Sequence, residues 1–450
     1  MISRENSSIN YFLYDMKREG IFLIKIRISE NKKQFETEKG ERFFYLADTV
    51  WSAFTNATLE EWESYLDYRK MQGFNVLQIN ILQQWDASET DLNIKPFNYK
   101  EDGSFNFYER NDAYFDRAEK MIAMAVEKGF VPALVLLWCN YVPDTWGSEI
   151  NDVNNMPFEL VEEYVKYVNE RFSKYHPIYL VSGDTDFPTK RSIEYYLLAL
   201  NTIKELSPHC LTSLHIRGRL MEIPDDFLYS DKLDFYMFQS GHNIQFQNMS
   251  YKLAEEFSNK PVKRPSLNSE PCYEQIGYSR NLYGRFNQFD VRKAAWQSLL
   301  AGASAGITYG AHGIWSWHKK GKGFGLIGEA FDKPYDWKDA LKFEGAWDYS
   351  FAKKIFSLYN LDDLQPIDVV LKNTEEIRAA ISNDSSKIVI YVPVNTVLRL
   401  NRLFENYEFT IIDLKKRRFS EANVSFEEKH TVIDMHLFDS DVLIIGEKRL

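Results

Sequence analysis

The stretch "TLEEWESYLDYRKMQGFNVLQINIL", Thr58 to Leu82, decides how this chain folds. Thr58 stands where a helix N-cap is wanted, Glu60 and Glu61 fill the first turn, and Gly73 closes the helix. The run that follows, Phe74 to Leu82, is apolar with little polar alternation, the pattern of a strand covered on both faces. A helix feeding such a strand is half of a β/α unit.

The same couplet recurs on either side. Asp112 to Lys128 reads as a helix closed by Gly129 and precedes "FVPALVLLW" (Phe130 to Trp138); "PFELVEEYVKYVNERFSKY" precedes "PIYLVSGDT" (Pro177 to Thr185). A helix over Lys190 to Leu206 leads to "CLTSLHI" (Cys210 to Ile216). Upstream, a hairpin turning at Lys39-Gly40 enters a first strand, Phe43 to Asp48. Downstream, Leu233 to Ser240, Arg264 to Pro271 and Gly306 to Trp317 supply three more strands, with helices near Met249 to Ser258, Asp290 to Ser304 and Asp339 to Tyr359. Eight buried strands alternating with helices predict a (β/α)8 TIM barrel. A doubly wound open sheet would want a glycine-rich loop after the first strand, and "LADTVW" has none. Past Asp362 the pattern becomes short β-runs joined by turns, which predicts a small C-terminal antiparallel β-sandwich. The expected domains are an N-terminal extension with short strands over 1–34, the barrel over 35–362 and the sandwich over 363–450.

Composition narrows the function. A formal charge of −11 argues against a nucleic-acid partner, which needs a basic face. The one basic cluster, "LKKRRF" (Leu414 to Phe419), reads as a solvated hairpin end. Three widely spaced cysteines, Cys139, Cys210 and Cys272, suit a reducing compartment, and no spacing calls for a metal or a cofactor. Lys25 and Arg27 interrupt the most apolar N-terminal run, "IFLIKIRIS", so it reads neither as a signal peptide nor as a span, which takes about 20 apolar residues. The expectation is a cytoplasmic chain with no membrane partner; nothing here sets its oligomeric state.

Barrel enzymes work from the C-terminal ends of their strands. Here those ends carry Asp48 and Trp51; Gln83, Gln84 and Trp85; Trp138 and Asn140; Asp184; His215 and Arg217; Gln239 and His242; Asn268 and Glu270; and Tyr309, His312, Trp315 and Trp317. Carboxylates, amides and aromatic faces around one mouth suit a carbohydrate, whose hydroxyls need polar partners and whose C–H faces stack on rings. Glycosidic cleavage takes two carboxyl groups flanking the bond, and Asp184 and Glu270, on strands four and seven, face each other across the mouth. Asp186 is the rival acid on the same loop as Asp184. Trp51, Gln83, Asn140, Gln239, Tyr273 and Tyr309 are expected at the substrate, with His242 and His312 as hydrogen-bond partners and Trp138 and Trp317 as stacking platforms. Asp48 reads either as a sugar ligand or as a buried structural acid. Two motifs fail on context: "GASAG" (Gly302 to Gly306) joins a helix to a strand, the reverse of a nucleophile elbow, so Ser304 is a helix-end residue. "GFGLIG" (Gly323 to Gly328) opens no helix and reads as a loop over the mouth.

These residues also carry a family resemblance. "ERFFYLADTVW", "YLDYRKMQGFNVLQ", "LVSGDTDF", "FQSGHN", "NSEPCYE" and "RKAAWQSLLAGASAGITYGAHGIWSW" together resemble the apiosidase-like glycoside hydrolases of family 140, from about Ile28 to the end of the chain. The resemblance implies a barrel with a small C-terminal β-domain, Asp184 as general acid/base and Glu270 as nucleophile. The resulting expectation is a retaining, exo-acting glycosidase working on an oligosaccharide or glycoside, imported if the chain carries no leader. The alternatives are a transglycosylase sharing the same site and a non-catalytic carbohydrate-binding protein on a degenerate barrel.

Overall fold

Eight parallel strands form the central sheet: β1 (Tyr45–Thr49), β2 (Val76–Asn80), β3 (Val131–Trp138), β4 (Ile178–Gly183), β5 (Thr212–Ser213), β6 (Tyr236–Phe238), β7 (Ser266–Asn268) and β8 (Gly306–Tyr309). They are laid out in a computed structural model that describes residues 23–151, 154–279, 282–325, 331–371, 374–435 and 437–449. The pairing order is β5-β4-β3-β2-β1-β8-β7-β6. No ladder joins β5 to β6, but Asp234 N–H donates to Thr212 O (3.0 Å), Arg219 N–H to Gln239 O (2.8 Å) and Ser213 Oγ to Phe235 O (2.7 Å) across that seam. The fold is a (β/α)8 barrel, and every strand residue in it is buried, which is why the strands read as continuous apolar runs.

The connecting helices are α1 (Leu59–Met71), α2 (Asp112–Glu127), α3 (Phe158–Phe172), α4 (Lys190–Leu206), a single turn α5 (Asp225–Leu228), α6 (Met249–Ser258), α7 (Gln288–Leu300) and α8 (Gly345–Leu358). Thr58 caps α1 as the sequence requires: Glu61 N–H donates to Thr58 Oγ1 (3.2 Å) and Thr58 N–H to Glu61 Oε2 (2.9 Å), a capping box. Three element boundaries differ from expectation. Strand eight ends at Tyr309, because His312 to Trp317 fold back over the barrel mouth in turns. Strand five shrinks to two residues. The last helix splits into Trp337–Ala340 and α8, whose first amide, Gly345 N–H, is anchored on Glu274 Oε2 (2.9 Å). Ser304 lies between α7 and β8.

At the barrel's other end, strands Ile26–Ile28, Phe35–Thr37 and Arg42–Phe43 form an antiparallel sheet turning at Gly40, with φ of +78°. Phe35 packs edge-on against Phe235, ring centres 5.0 Å apart, and closes the barrel floor. The expected boundary at residue 34 therefore falls inside one sheet, since Ile26–Ile28 pairs with Phe35–Thr37. The expected extension over residues 1–22 lies outside the described residues.

The C-terminal unit packs a six-stranded antiparallel sheet against a three-stranded one. Its runs do not all alternate in polarity. In Lys387–Val392, Ile388, Ile390 and Val392 face the sandwich interior while Val389 and Tyr391 join the barrel's core, so both faces are apolar. Arg292 on α7, 2% exposed, is clamped between Asp348 on α8 (2.7 Å) and Asp441 of the sandwich (2.8 Å). "LKKRRF" does end a hairpin, and Arg417 turns back onto Asp348 (2.8 Å).

Candidate active site

Inside the barrel, Gln78 on β2 gathers three strands: its Oε1 accepts from Tyr45 OH (3.1 Å) and Thr308 Oγ1 (3.3 Å), and its Nε2 donates to Ser269 O (3.1 Å). Ser269 N–H and Oγ both donate to Phe238 O (2.8 and 3.1 Å). The backbone is thus fixed from two sides immediately before Glu270.

Glu270 is 7% exposed and surrounded by donors. Gln239 Nε2 donates to its Oε1 at 2.9 Å, and His242 Nε2 lies 2.9 Å from the same oxygen. Tyr273 N–H donates to His242 Nδ1 (3.3 Å), so in the neutral ring the proton sits on Nε2 and points at Glu270. His215 Nε2 is 3.3 Å from Oε2, but out of hydrogen-bond alignment, so Oε2 is left unpartnered among the described residues. Burial alone would raise the Glu270 pKa; His215 and His242 overcome it and hold the carboxyl down at about 2. Glu270 is thus held toward the carboxylate form, with Oε2 turned to His215 Nε2.

Asp184 follows β4 directly, with φ of +51°, in the left-handed region that Asp tolerates better than most residues. Gly183 before it admits no side chain: a Cβ there would lie 2.3 Å from Trp138 Cε3. Trp146 Nε1 donates to Asp184 O (2.6 Å) and holds the turn. Burial, then the negative charges of Glu270 and Asp86, push the Asp184 carboxyl well above the ordinary range. Two carboxyls of one site are therefore driven apart, Glu270 toward the ionised form and Asp184 toward the protonated one.

Both line a cavity of about 90 Å³ at the strands' C-terminal ends. Of the expected residues, Trp51, Trp138, Gln239, His242 and Tyr273 share it with them. Trp51 Nε1 donates to Tyr273 OH (3.0 Å), and Gly310 leaves room for the Tyr273 ring, which would lie 2.0 Å from a Cβ. Sequence reasoning did not assign Gln84, Asp86, Trp146, Ile276, Trp315 or Phe331, which complete the wall. Gln84 and Trp315 were visible near strand ends; Asp86, Trp146 and Phe331 sit farther along loops, with no periodic signal.

Six expected residues do not reach the cavity. Asp48 is fully buried, held by Arg69 Nε (2.5 Å) and Tyr65 OH (2.7 Å), so it is the structural acid of the two readings. Tyr309 OH donates to Glu274 Oε2 (2.6 Å) beneath the mouth. Trp317 stacks on Trp337 (5.0 Å) and donates to Glu61 Oε2 (3.2 Å), facing α1. His312 supports the wall from behind: Trp315 Nε1 donates to its Nδ1 (3.1 Å), and its Nε2 reaches Asp332 O (2.8 Å). Asn140 is fully buried beside Trp138, and Gln83 offers only its carbonyl to Tyr141 OH (2.6 Å). The rival acid Asp186 is engaged by Arg217 Nη1 (3.2 Å) and Trp146 N–H (3.3 Å) and does not line the cavity. Of "GFGLIG", Phe324 packs on His312 (5.6 Å) and Trp315 (5.8 Å), while Leu326 to Gly328 lie outside the described residues.

A larger hollow of about 720 Å³ lies at the barrel's opposite end; its Glu38 and Asp362 are paired with Lys25 and Arg42. Its third carboxyl is Glu41.

A (β/α)8 barrel whose mouth holds two carboxyls of oppositely shifted proton affinity amid tryptophans has the architecture on which glycoside hydrolases are built. The chain belongs to the family described as "Apiosidase-like, catalytic domain", whose model matches residues 29–362. Among solved structures it is similar to one described as a glycoside hydrolase (TM-score 0.78, 21% identity, 94% of this chain and 97% of that one). A glycoside hydrolase family 5 protein from Bacteroides vulgatus aligns at TM-score 0.77 and 22% identity, covering 94% of this chain and 93% of that one. A family 30 endoxylanase from Clostridium papyrosolvens aligns at 0.50 and 11%, covering 90% and 95%. These likenesses are of fold. No curated protein matches the sequence. Among the described residues no helix is long and apolar enough to cross a membrane.

Proposed function

We propose that the protein is a retaining, exo-acting O-glycoside hydrolase in which Glu270 is the nucleophile and Asp184 the general acid/base. The observation that carries this reading is the opposite perturbation of the two carboxyls in one cavity. Glu270 Oε2 attacks the anomeric carbon while Asp184 gives its proton to the departing glycosidic oxygen; Asp184 then takes a proton from the water that hydrolyses the glycosyl ester. The small volume of the cavity, about 90 Å³, favours removal of a terminal sugar over cleavage within a long chain. Among the described residues no Lys or Arg lines it, which favours an uncharged sugar. Cytoplasmic location is proposed on the same footing: all three cysteines are buried and unpaired.

The test uses a panel of 2,4-dinitrophenyl furanosides and pyranosides with Glu270→Gly and Asp184→Gly. Glu270→Gly should lose several orders of magnitude on the substrate cleaved by wild type, and azide should restore turnover with a glycosyl azide of inverted configuration. Asp184→Gly should still cleave the activated substrate and, with azide, give the retained product. If both variants are equally poor and neither is rescued, the assigned roles are wrong. Sugar binding without hydrolysis by wild type would leave a carbohydrate-binding protein.

A further inference from the structure

Asp86 is the third carboxyl of the cavity, and the catalytic steps above make no use of it. It lies six residues beyond β2 on the connection to α2, and its orientation is set by a chain of hydrogen bonds rooted in that strand. Asn80 Oδ1 accepts from Leu82 N–H (3.2 Å), Asn80 Nδ2 donates to Gln84 Oε1 (3.0 Å), and Gln84 Nε2 donates to Asp86 Oδ1 (2.7 Å). Asn80 and Gln84 are 0 and 2% exposed, so the amides of the relay are shielded from water, while Asp86 is half-buried at its end. Gln84 is the side chain that hydrogen-bonds Asp86 among the described residues, and the carboxyl also takes a backbone bond of its own residue. An acid needed only to hold its own loop would be as well served by an amide.

The other polar atoms of the wall say what kind of molecule completes the set. Glu270 Oε2, Gln239 Oε1 and Trp138 Nε1 are buried and without partners among the described residues, on side chains that are 9, 6 and 4% exposed or less. Apart from Glu270 Oε2, which faces the anomeric centre, that leaves one acceptor and one donor, and Asp86 adds a carboxyl to the same wall. Buried polar groups are normally satisfied, so the missing partner carries O–H groups, which donate and accept, and is small enough to sit between tryptophan rings. Glu270 and Asp184 are committed to the anomeric centre. Asp86 and Gln239 are then the acceptors left for the hydroxyls of the same ring.

We propose that Asp86 is a specificity-determining residue whose carboxylate accepts hydrogen bonds from ring hydroxyls of the sugar held between Asp184 and Glu270. This rests on the glycosidase reading above. Burial, opposed by the Gln84 bond, pushes the Asp86 carboxyl up to about 6, so it is ionised at neutral pH and protonated in mild acid. The titratable groups facing it are Glu270, Asp184 and Cys139; Glu270, held near 2, does not change charge in that window, while burial pushes the Asp184 carboxyl and the Cys139 thiol up toward their neutral forms. Protonation fills one acceptor position and removes the charge that strengthens the hydroxyl bonds.

The experiment takes the best 4-nitrophenyl glycoside for wild type and its monodeoxy analogues, assayed with wild type, Asp86→Asn and Asp86→Ala, each checked for an unchanged far-ultraviolet circular dichroism spectrum. Asp86→Ala should raise KM and cut kcat/KM on the parent by about tenfold or more, the scale of a lost charge-assisted hydrogen bond. One deoxy analogue should lose about tenfold against wild type but less than about threefold against Asp86→Ala, because the partner is already gone. Wild-type kcat/KM should fall on the acid side with a midpoint near pH 6, and that limb should be missing in Asp86→Asn. If every deoxy analogue loses the same factor in wild type and variant, or the acid limb survives in Asp86→Asn, the proposal is overturned. A parallel screen of the free monosaccharides, read by quenching of tryptophan fluorescence from Trp51, Trp138, Trp146 and Trp315, separates the two readings. Binding that Asp86→Ala abolishes upholds the Asp86 role even where wild type hydrolyses nothing. Binding that Asp86→Ala leaves unchanged sinks it, and neither binding nor hydrolysis sinks both.

Discussion

Replacing Asp48 by Ala should cost stability and spare catalysis. Asp48 and Arg69 are both 0% exposed, with Arg69 Nε 2.5 Å from Asp48 Oδ2. The guanidinium also donates to Gln72 Oε1 (2.6 Å) and Leu341 O (3.2 Å) and lies against the rings of Tyr65, Phe74 and Tyr309 at 5.7, 5.1 and 5.4 Å. No water can reach it to replace the lost carboxylate. Breaking a buried pair from one side leaves an uncompensated charge and costs about 3–5 kcal/mol. An unfolding entropy of about 2.1 cal/mol/K per residue gives about 0.7 kcal/mol/K for a barrel of about 330 residues, so the melting temperature should fall by about 4–7 °C. The double variant Asp48→Leu/Arg69→Met should recover most of that loss, because no charge is then stranded. Melting is followed by circular dichroism or calorimetry, and kcat/KM on an aryl glycoside, measured well below the transition, should stay within about twofold of wild type. An unchanged melting temperature together with a raised KM on every substrate would refute the argument and return Asp48 to the ligand.

Two further outcomes follow from the site. The proposed mechanism requires Glu270 ionised and Asp184 protonated; with Glu270 held at about 2 and Asp184 above the ordinary carboxyl range, loss of activity on the alkaline side should belong to Asp184. That limb should vanish when glycosylation is followed on a dinitrophenyl substrate, whose leaving group needs no proton; an alkaline limb near pH 4 on ordinary glycosides would contradict it. Gly183→Ala places a Cβ 2.3 Å from Trp138 Cε3, so it should destabilise by about 1–3 kcal/mol and displace the Asp184 turn. Its kcat should drop by about tenfold or more on a poor leaving group and far less on a dinitrophenyl glycoside, and equal losses on both would point to a general defect instead.

What the sequence determined by itself is what local periodicity can encode. Apolar runs fed by capped helices specified the barrel, and the barrel specified that residues at strand ends share one mouth, which brought Asp184 and Glu270 together on paper. Periodicity also shows its limits in the C-terminal sheet, where Lys387–Val392 loses its alternation because the barrel covers its outer face. The direction a strand-end side chain takes depends on partners far away in sequence. Asp48 turns outward to Tyr65 and Arg69 on α1, Tyr309 drops to Glu274, and Trp317 swings to Glu61, although each stands near a strand end. Loops place side chains through contacts that no local pattern announces, which is how Asp86, Trp146 and Phe331 came to line the cavity. The opposite shifts of the two acids are the clearest case. Nothing in "SGDT" or "NSEP" says which carboxyl keeps its proton. His242 from the loop after β6 and His215 beyond β5 draw Glu270 down, while burial beside Glu270 and Asp86 draws Asp184 up, and such fields exist only once the chain has closed around them.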